Sequence, residues 1–168
     1  MRHHVQPATS ADVAYLAARL EDGPVSLDWP EKDPGRRLLE ACAFSTQIWA
    51  ARRLSDGATS ALWGVTPRLD NPDVGYVWML TTPSFDDDPR ELSLLCRLVL
   101  GEMLDQFPRL EQQIDARHDR ALNLLRGLGF IIGEARRDLD SSATLHRVWL
   151  DSAKLRNSPS DPGETLVH

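Results

Sequence analysis

Lysine is nearly absent from this chain: of 19 lysines and arginines, only Lys32 and Lys154 are lysines. A GC-rich coding genome or a preference for the guanidinium fork in ion pairs would each produce that bias, and composition does not separate the two. A basic excess is absent too. The formal net charge is −6, which argues against a free duplex-binding protein and against sequence-specific contact with nucleic acid. No apolar run approaches the ~20 residues needed to span a bilayer. Residues 1–7 lack the apolar centre of a signal peptide, so folding in a cytoplasm is expected. Cysteine is scarce. Cys42 and Cys96 both sit in apolar helical contexts and read as buried thiols acting as small hydrophobes. Cys96 lies mid-helix on the apolar face without a local base, so a cysteine nucleophile is not expected. Ser84 has no Gly-x-Ser-x-Gly elbow around it. No metal-ligand spacing and no internal repeat is present.

What is present is ordinary in amount: 168 residues, 42% apolar and 26% charged. That suits one globular domain with a proper core and is short for two. A strand is predicted over 2–8, with Val5 and His3 as inward candidates. Thr9 or Ser10 can cap a helix whose stripe is Val13, Leu16, Ala17 and Leu20. Residues 29–34 read as a loop, because each proline biases its predecessor away from helix. A second helix spans 36–44. Strands are predicted over 47–54 and 60–67, and over 74–82 after the turn at Asp70-Asn71-Pro72-Asp73. The apolar density of 74–82 marks a central strand. Asp88 is a good N-cap and Pro89 a good first helical residue. The helix over 89–107 carries Leu92, Leu95, Cys96, Val99, Met103 and Phe107 on one face. A strand over 110–116 follows.

Residues 115–130, DARHDRALNLLRGLGF, are the most informative stretch. Ala121, Leu122, Leu124, Leu125 and Leu128 have helical apolar spacing. Gly129 stands where a left-handed position is wanted, since glycine takes positive φ without Cβ strain. Phe130 opens a strand over 130–137, and a last strand spans 143–150. This passage resembles the final helix-to-strand passage of the GNAT acetyltransferase fold, Asn-x-x-Ala, a helix, then Gly-Phe. The element order β, α, α, β, β, β, α, β, α, β, β over 2–150 resembles that fold as well. The resemblance implies an α/β (α+β) class: a mixed, mainly antiparallel sheet flanked by helices. It also implies a V-shaped splay between the fourth and fifth strands, 74–82 and 110–116. The domain is expected to cover 1–151, and 152–168 to form a flexible C-terminal tail, by composition.

The resemblance also implies where acetyl-coenzyme A would be held: at the junction of the central strand and the long helix. GNAT enzymes carry a glycine-rich loop there, so that backbone N–H groups and the helix end can face the pyrophosphate. Here the junction is Thr82-Pro83-Ser84-Phe85-Asp86-Asp87-Asp88-Pro89-Arg90. It has no glycine, two of its residues lack an N–H, and three carboxylates stand where a dianion would sit. By the resemblance, the cofactor-binding candidates are Leu80, Thr82, Arg90 and His118. The tyrosine that often serves as general acid is matched by Leu125, which cannot donate a proton. If the chain were active, the catalytic candidates would be Glu111, Asp115, His118 and Tyr76; otherwise none is expected.

Trp78-Met79-Leu80-x-Thr82, the glycine-poor loop, the long helix and the Leu-Gly-Phe ending also resemble small internal virion or morphogenesis proteins of short-tailed phages, a GNAT-like family. That resemblance implies a catalytically degenerate protein acting in virion assembly through contacts with other virion proteins, with no cofactor. An oligomer within a particle is compatible with it. Trp29 and the tail after Asp151 would recruit neighbours, in the host cytoplasm during assembly and in the virion. The competing expectation is an acyl-coenzyme A N-acyltransferase with a divergent pyrophosphate loop.

Overall fold

A computed structural model of the chain describes residues 1–22, 26–27, 34–85, 87–140 and 142–152. The predicted elements are there, with boundaries shifted by one to three residues. They are β1 (His3–Pro7), α1 (Ser10–Asp22), α2 (Pro34–Phe44), β3 (Gln47–Arg53), β4 (Thr59–Arg68) and β5 (Asn71–Thr81), then α3 (Pro89–Gln106), β6 (Arg109–Asp115), α4 (Asp119–Gly127), β7 (Ile131–Arg137) and β8 (Thr144–Asp151). Two described elements are new: the two-residue strand β2 (Ser26–Leu27) and a single 3-10 turn over Pro83–Phe85. The splayed strands expected as fourth and fifth are therefore β5 and β6. Trp29 and residues 153–168 lie outside the described residues.

The strands form one sheet in the order β1-β3-β4-β5-β6-β8-β7, with β2 paired to β5. Among the described strands, only the β5–β6 pair is parallel. Each face carries its own core. On one face, Leu95, Val99 and Met103 of α3 pack with Trp63 and Val77 of the sheet, Leu110 and Ile114 of β6, and Leu122 of α4. On the other, Leu16 of α1 and Leu38 of α2 pack on Ala50, Leu62, Trp78 and Leu80. Alternation along β5 assigns Val77 to one core and Trp78 and Leu80 to the other, so the strand is buried on both faces. Gly64 makes the second packing feasible. A Cβ at this position would lie 2.2 Å from the ring of Trp78, its cross-strand partner.

Caps explain the helix boundaries. α1 is capped by Thr9 rather than Ser10. The Thr9 hydroxyl accepts from Asp12 N at 3.3 Å, and the Asp12 carboxylate accepts from Thr9 N at 2.8 Å. This reciprocal capping box is more favourable than a single side-chain cap. Asp88 caps α3 as predicted, accepting from Glu91 N at 3.1 Å, and Pro89 opens the first turn. Gly129 follows α4 with φ +99°, as the sequence requires.

Asp12 is buried and does more than cap. Its carboxylate also accepts from Arg52 Nε at 2.8 Å and Thr59 Oγ1 at 2.6 Å. Burial alone would raise its pKa, but the hydrogen bonds from Arg52, Thr59 and Thr9 outweigh it and hold the group well below the usual carboxylate range. A carboxyl depressed in the fold contributes stability that is complete above its unfolded value of about 3.9 and is lost as pH falls through the folded value. The stability gap between wild type and Asp12→Asn should therefore hold constant from pH 7 to about pH 5 and shrink below about pH 4. Denaturant unfolding at pH 7, 5 and 3 measures it. A gap that shrinks between pH 7 and 5 instead would show that Asp12 is not the depressed group.

Candidate functional site

The β5–β6 ladder is short. Val74 pairs with Arg109, Gly75 with Leu110 and Tyr76 with Glu111, and there the pairing ends. Beyond it, β6 stays paired to β8 as far as Asp115, while β5 stays paired to β4. The two strands diverge, as the resemblance implied. Gln112 bridges them at the vertex. Its Nε2 donates to Val77 O at 2.5 Å, and its Oε1 accepts from Gln113 N at 2.7 Å. A side-chain amide thus stands where the next main-chain pair would have been. At the other end of β5, β2 pairs with Leu80 and Thr81.

The gap is a cavity of about 400 Å³, a size typical of small-molecule sites. Its lining is of two kinds. Met79, Cys96, Leu100, Met103, Leu125 and Phe130 supply apolar wall from β5, α3, α4 and the start of β7. Gln113, Asp115, Asp138 and Arg37 supply polar wall. Asp115 is ionised throughout the physiological range. Its carboxylate accepts from Arg117 Nη2 at 2.9 Å and from Arg117 N at 2.9 Å, and these hydrogen bonds hold its pKa down to about 2. An acid that strong is a poor proton acceptor at neutral pH, and the Arg117 guanidinium already balances its charge.

The other candidates are dispersed. Glu111 is buried on the sheet at the foot of the ladder. It accepts from Arg68 Nη1 at 3.2 Å and Arg147 Nη2 at 2.7 Å, with Arg109 Nε at 3.0 Å. Its oxygens face three guanidinium groups, the setting of an ion-pair hub rather than a proton carrier. Tyr76 is partly exposed beside it. His118 caps α4: its Nδ1 accepts from Ala121 N at 3.2 Å, so that nitrogen carries no proton while it caps. Leu80 is fully buried between β4 and β2. The Thr82 hydroxyl donates to Ser60 O at 3.2 Å and Ser84 Oγ lies 3.0 Å away. Arg90 is exposed in the first turn of α3. Of the seven, only Asp115 lines the cavity. Gln112, Gln113, Asp138 and Arg37 were not singled out by sequence. Their signal is the register of the cleft, which no local pattern carries.

A second polar constellation lies outside the cleft. His3 Nδ1 is 3.2 Å from Glu91 Oε1, and His3 Nε2 is 3.1 Å from Ser60 Oγ. The order serine, histidine, carboxylate is that of an activated nucleophile. However, Ser60 is 1% exposed and His3 2% exposed, so no substrate reaches them. The group fastens β1 to α3.

No protein-family model matches the chain, and no curated protein matches it. Solved structures do. A spermidine N-acetyltransferase chimera from Vibrio cholerae and hSSAT matches with a TM-score of 0.72 at 10% identity, covering 94% of this chain and 99% of that one. A ribosomal-protein-alanine N-acetyltransferase from Brucella melitensis matches with a TM-score of 0.64 at 14% identity, covering 88% and 99%. A GNAT-family acetyltransferase from Streptococcus pneumoniae matches with a TM-score of 0.63 at 14% identity, covering 89% and 99%. The fold is that of the GNAT N-acetyltransferases. No described helix is long and apolar enough to cross a membrane.

Proposed function

We propose that this chain holds an acyl thioester in the cleft between β5 and β6 and passes the acyl group to an amine. The observation that carries the reading is the cleft itself: the ladder stops at Tyr76 and Glu111 and opens into a cavity of about 400 Å³ with both apolar and polar lining. The shared fold with the N-acetyltransferases supports it. In the reaction the amine nitrogen bonds to the acyl carbon, the carbon–sulfur bond breaks, and the thiolate leaves with the proton lost by nitrogen. Asp115 would accept a hydrogen bond from the amine, which reacts as the free base after losing its extra proton to solvent. Leu125 lines the cavity on α4 and offers no proton to the thiolate. Turnover then rests on positioning, without the about 10²–10⁴-fold that a placed acid or base supplies.

The residues fit the thioester arm of a coenzyme A donor and do not fit its pyrophosphate. At the N-terminus of α3, Asp88 already accepts from Glu91 N, Pro83 and Pro89 have no N–H, and Thr82 is bonded to Ser60. Carboxylates there repel a dianion. Recognition of the nucleotide should therefore add little. Coenzyme A and pantetheine, titrated calorimetrically at low salt, should have dissociation constants within about threefold, less than 0.7 kcal/mol apart. A preference for coenzyme A above about 30-fold would show that the helix end grips phosphate after all.

A second reading rests on the same capped helix end and on Leu125. It is the one implied by the phage resemblance: a catalytically degenerate GNAT-fold protein that assembles with other virion proteins. It gains if neither compound binds and if deletion of the gene leaves particles lacking another internal protein. It is lost if thioester turnover is measured.

A further inference from the structure

Resting on the acyl-transfer reading, we propose that the apolar chamber under α3 selects a medium-chain acyl group rather than acetyl. Size is the first argument. The cavity is about 400 Å³, and one water occupies about 30 Å³. An acetyl group fills about two or three such volumes and would leave most of the chamber empty. At about 30 Å³ per methylene-sized unit the chamber holds about a dozen. A cysteamine stem and its thioester take about five, which leaves at most about six to eight carbons, fewer by the space the amine occupies.

The second argument is the wall. Met79, Cys96 and Met103 line the chamber, and the Cys96 thiol donates to Met79 Sδ at 3.7 Å. Sulfur-bearing side chains are polarizable and, in methionine, unbranched, so they adapt to a flexible chain better than β-branched residues do. Leu100, Leu125 and Phe130 extend this wall, Val77 and Ile114 are its β-branched members, and the buried Trp63 Nε1 is the polar atom set into it. The third argument is register. Gln113 and Asp115 flank Ile114 along β6; Ile114 belongs to the apolar core under α3, so the two polar residues face the other side of the sheet. A short polar acyl group would leave the apolar side to water, which such a wall disfavours.

The test is a series of S-acyl pantetheines from acetyl to dodecanoyl, titrated against the whole chain and followed by tryptophan fluorescence, since Trp63 and Trp78 line the cavity. Affinity should rise about three- to fourfold per methylene, the value of a buried CH₂, reach a maximum near eight carbons and then fall. Leu100→Trp should lower octanoyl affinity more than 30-fold and lower it further than acetyl affinity. Leu125→Phe, at a half-buried position, serves if the tryptophan variant fails to fold, with at least a fivefold loss for octanoyl. Acetyl and octanoyl binding within twofold of each other would overturn the chain-length inference and leave the thioester reading standing. If no member of the series binds, and neither does free pantetheine, both are overturned. Affinity that climbs through dodecanoyl and is insensitive to both variants would also overturn it, because that is surface partitioning rather than a chamber.

Discussion

Replacing Glu111 with alanine should destabilise the fold by about 3 kcal/mol, a large share of the 5–15 kcal/mol that holds a domain together. The carboxylate is 3% exposed. Three guanidinium groups converge on it, from Arg68, Arg109 and Arg147. Removing one partner of a buried ion pair costs about 3–5 kcal/mol, because the remaining charge is left without compensation. The lower end applies here. Arg68 keeps Asp70, which accepts from its Nε and Nη2, and Arg147 lies over the Trp149 ring at 5.7 Å. Their side chains are 29% and 54% exposed, so water can take up part of the deficit. Glu111→Gln keeps an acceptor of the same shape and should cost about half as much. In a double-mutant cycle with Arg147→Met the two losses should fall short of additivity by about 1 kcal/mol or more. Urea unfolding measures all three. A loss below about 1 kcal/mol for the alanine variant would mean that water already solvates this carboxylate. Glu111 would then return as a candidate base.

Most of the framework was legible because its causes are local. The 3-4-4-4 spacing from Leu92 to Phe107 fixes the buried face of α3 wherever the helix sits. Asp88 with Pro89 marks its start by donor chemistry alone. Gly129 marks the end of α4 because no other residue takes φ +99° cheaply. Thr9 and Ser10 could not be ranked by that logic. The choice depends on Asp12, whose burial and bond to Arg52 span 40 residues. β2 was illegible for a related reason. Two residues carry no periodicity, and only the open edge of β5 makes Ser26 and Leu27 a strand.

The site was less legible than the fold. Sequence placed two strands side by side but could not show where their pairing ends. That end depends on Gln112, which reads as an ordinary polar residue until its amide is seen bonded to Val77 across the vertex. Likewise, Glu111 is chemically a good base in isolation. Its partners, Arg68 and Arg147, lie 43 and 36 residues away. A carboxylate's role is set by what faces it, and local patterns do not encode that.

Glu91→Ala should cost about 3–4 kcal/mol, for a different physical reason. Glu91 lies in the first turn of α3 and is 4% exposed. One oxygen accepts from Arg2 N at 2.8 Å, His3 N at 2.8 Å and His3 Nδ1 at 3.2 Å. Arg2 Nε lies 3.9 Å from the other. A carboxylate accepting from Nδ1 fixes the tautomer, so His3 Nε2 is left to accept from the Ser60 hydroxyl. The ring is then held against Phe85, with centroids 4.4 Å apart. Alanine leaves the His3 N–H and Nδ1–H buried without an acceptor, at about 1–3 kcal/mol each before relaxation. It also removes a negative charge from the helix N-terminus, where it is favourable by about 0.3–1 kcal/mol. Glu91→Gln restores an acceptor and should recover more than half the loss. Amide exchange separates this from a general loss of packing. Protection of Val5 and neighbouring β1 amides should fall further than that of β4 amides, because the clasp holds the strand and not the sheet centre. Equal loss across the sheet would place Glu91 in the global core instead. The ratio of coenzyme A to pantetheine affinity should be unchanged, since Asp88 rather than Glu91 takes the helix-end donor. A rise in that ratio would reassign the obstacle to phosphate from Asp88 to Glu91.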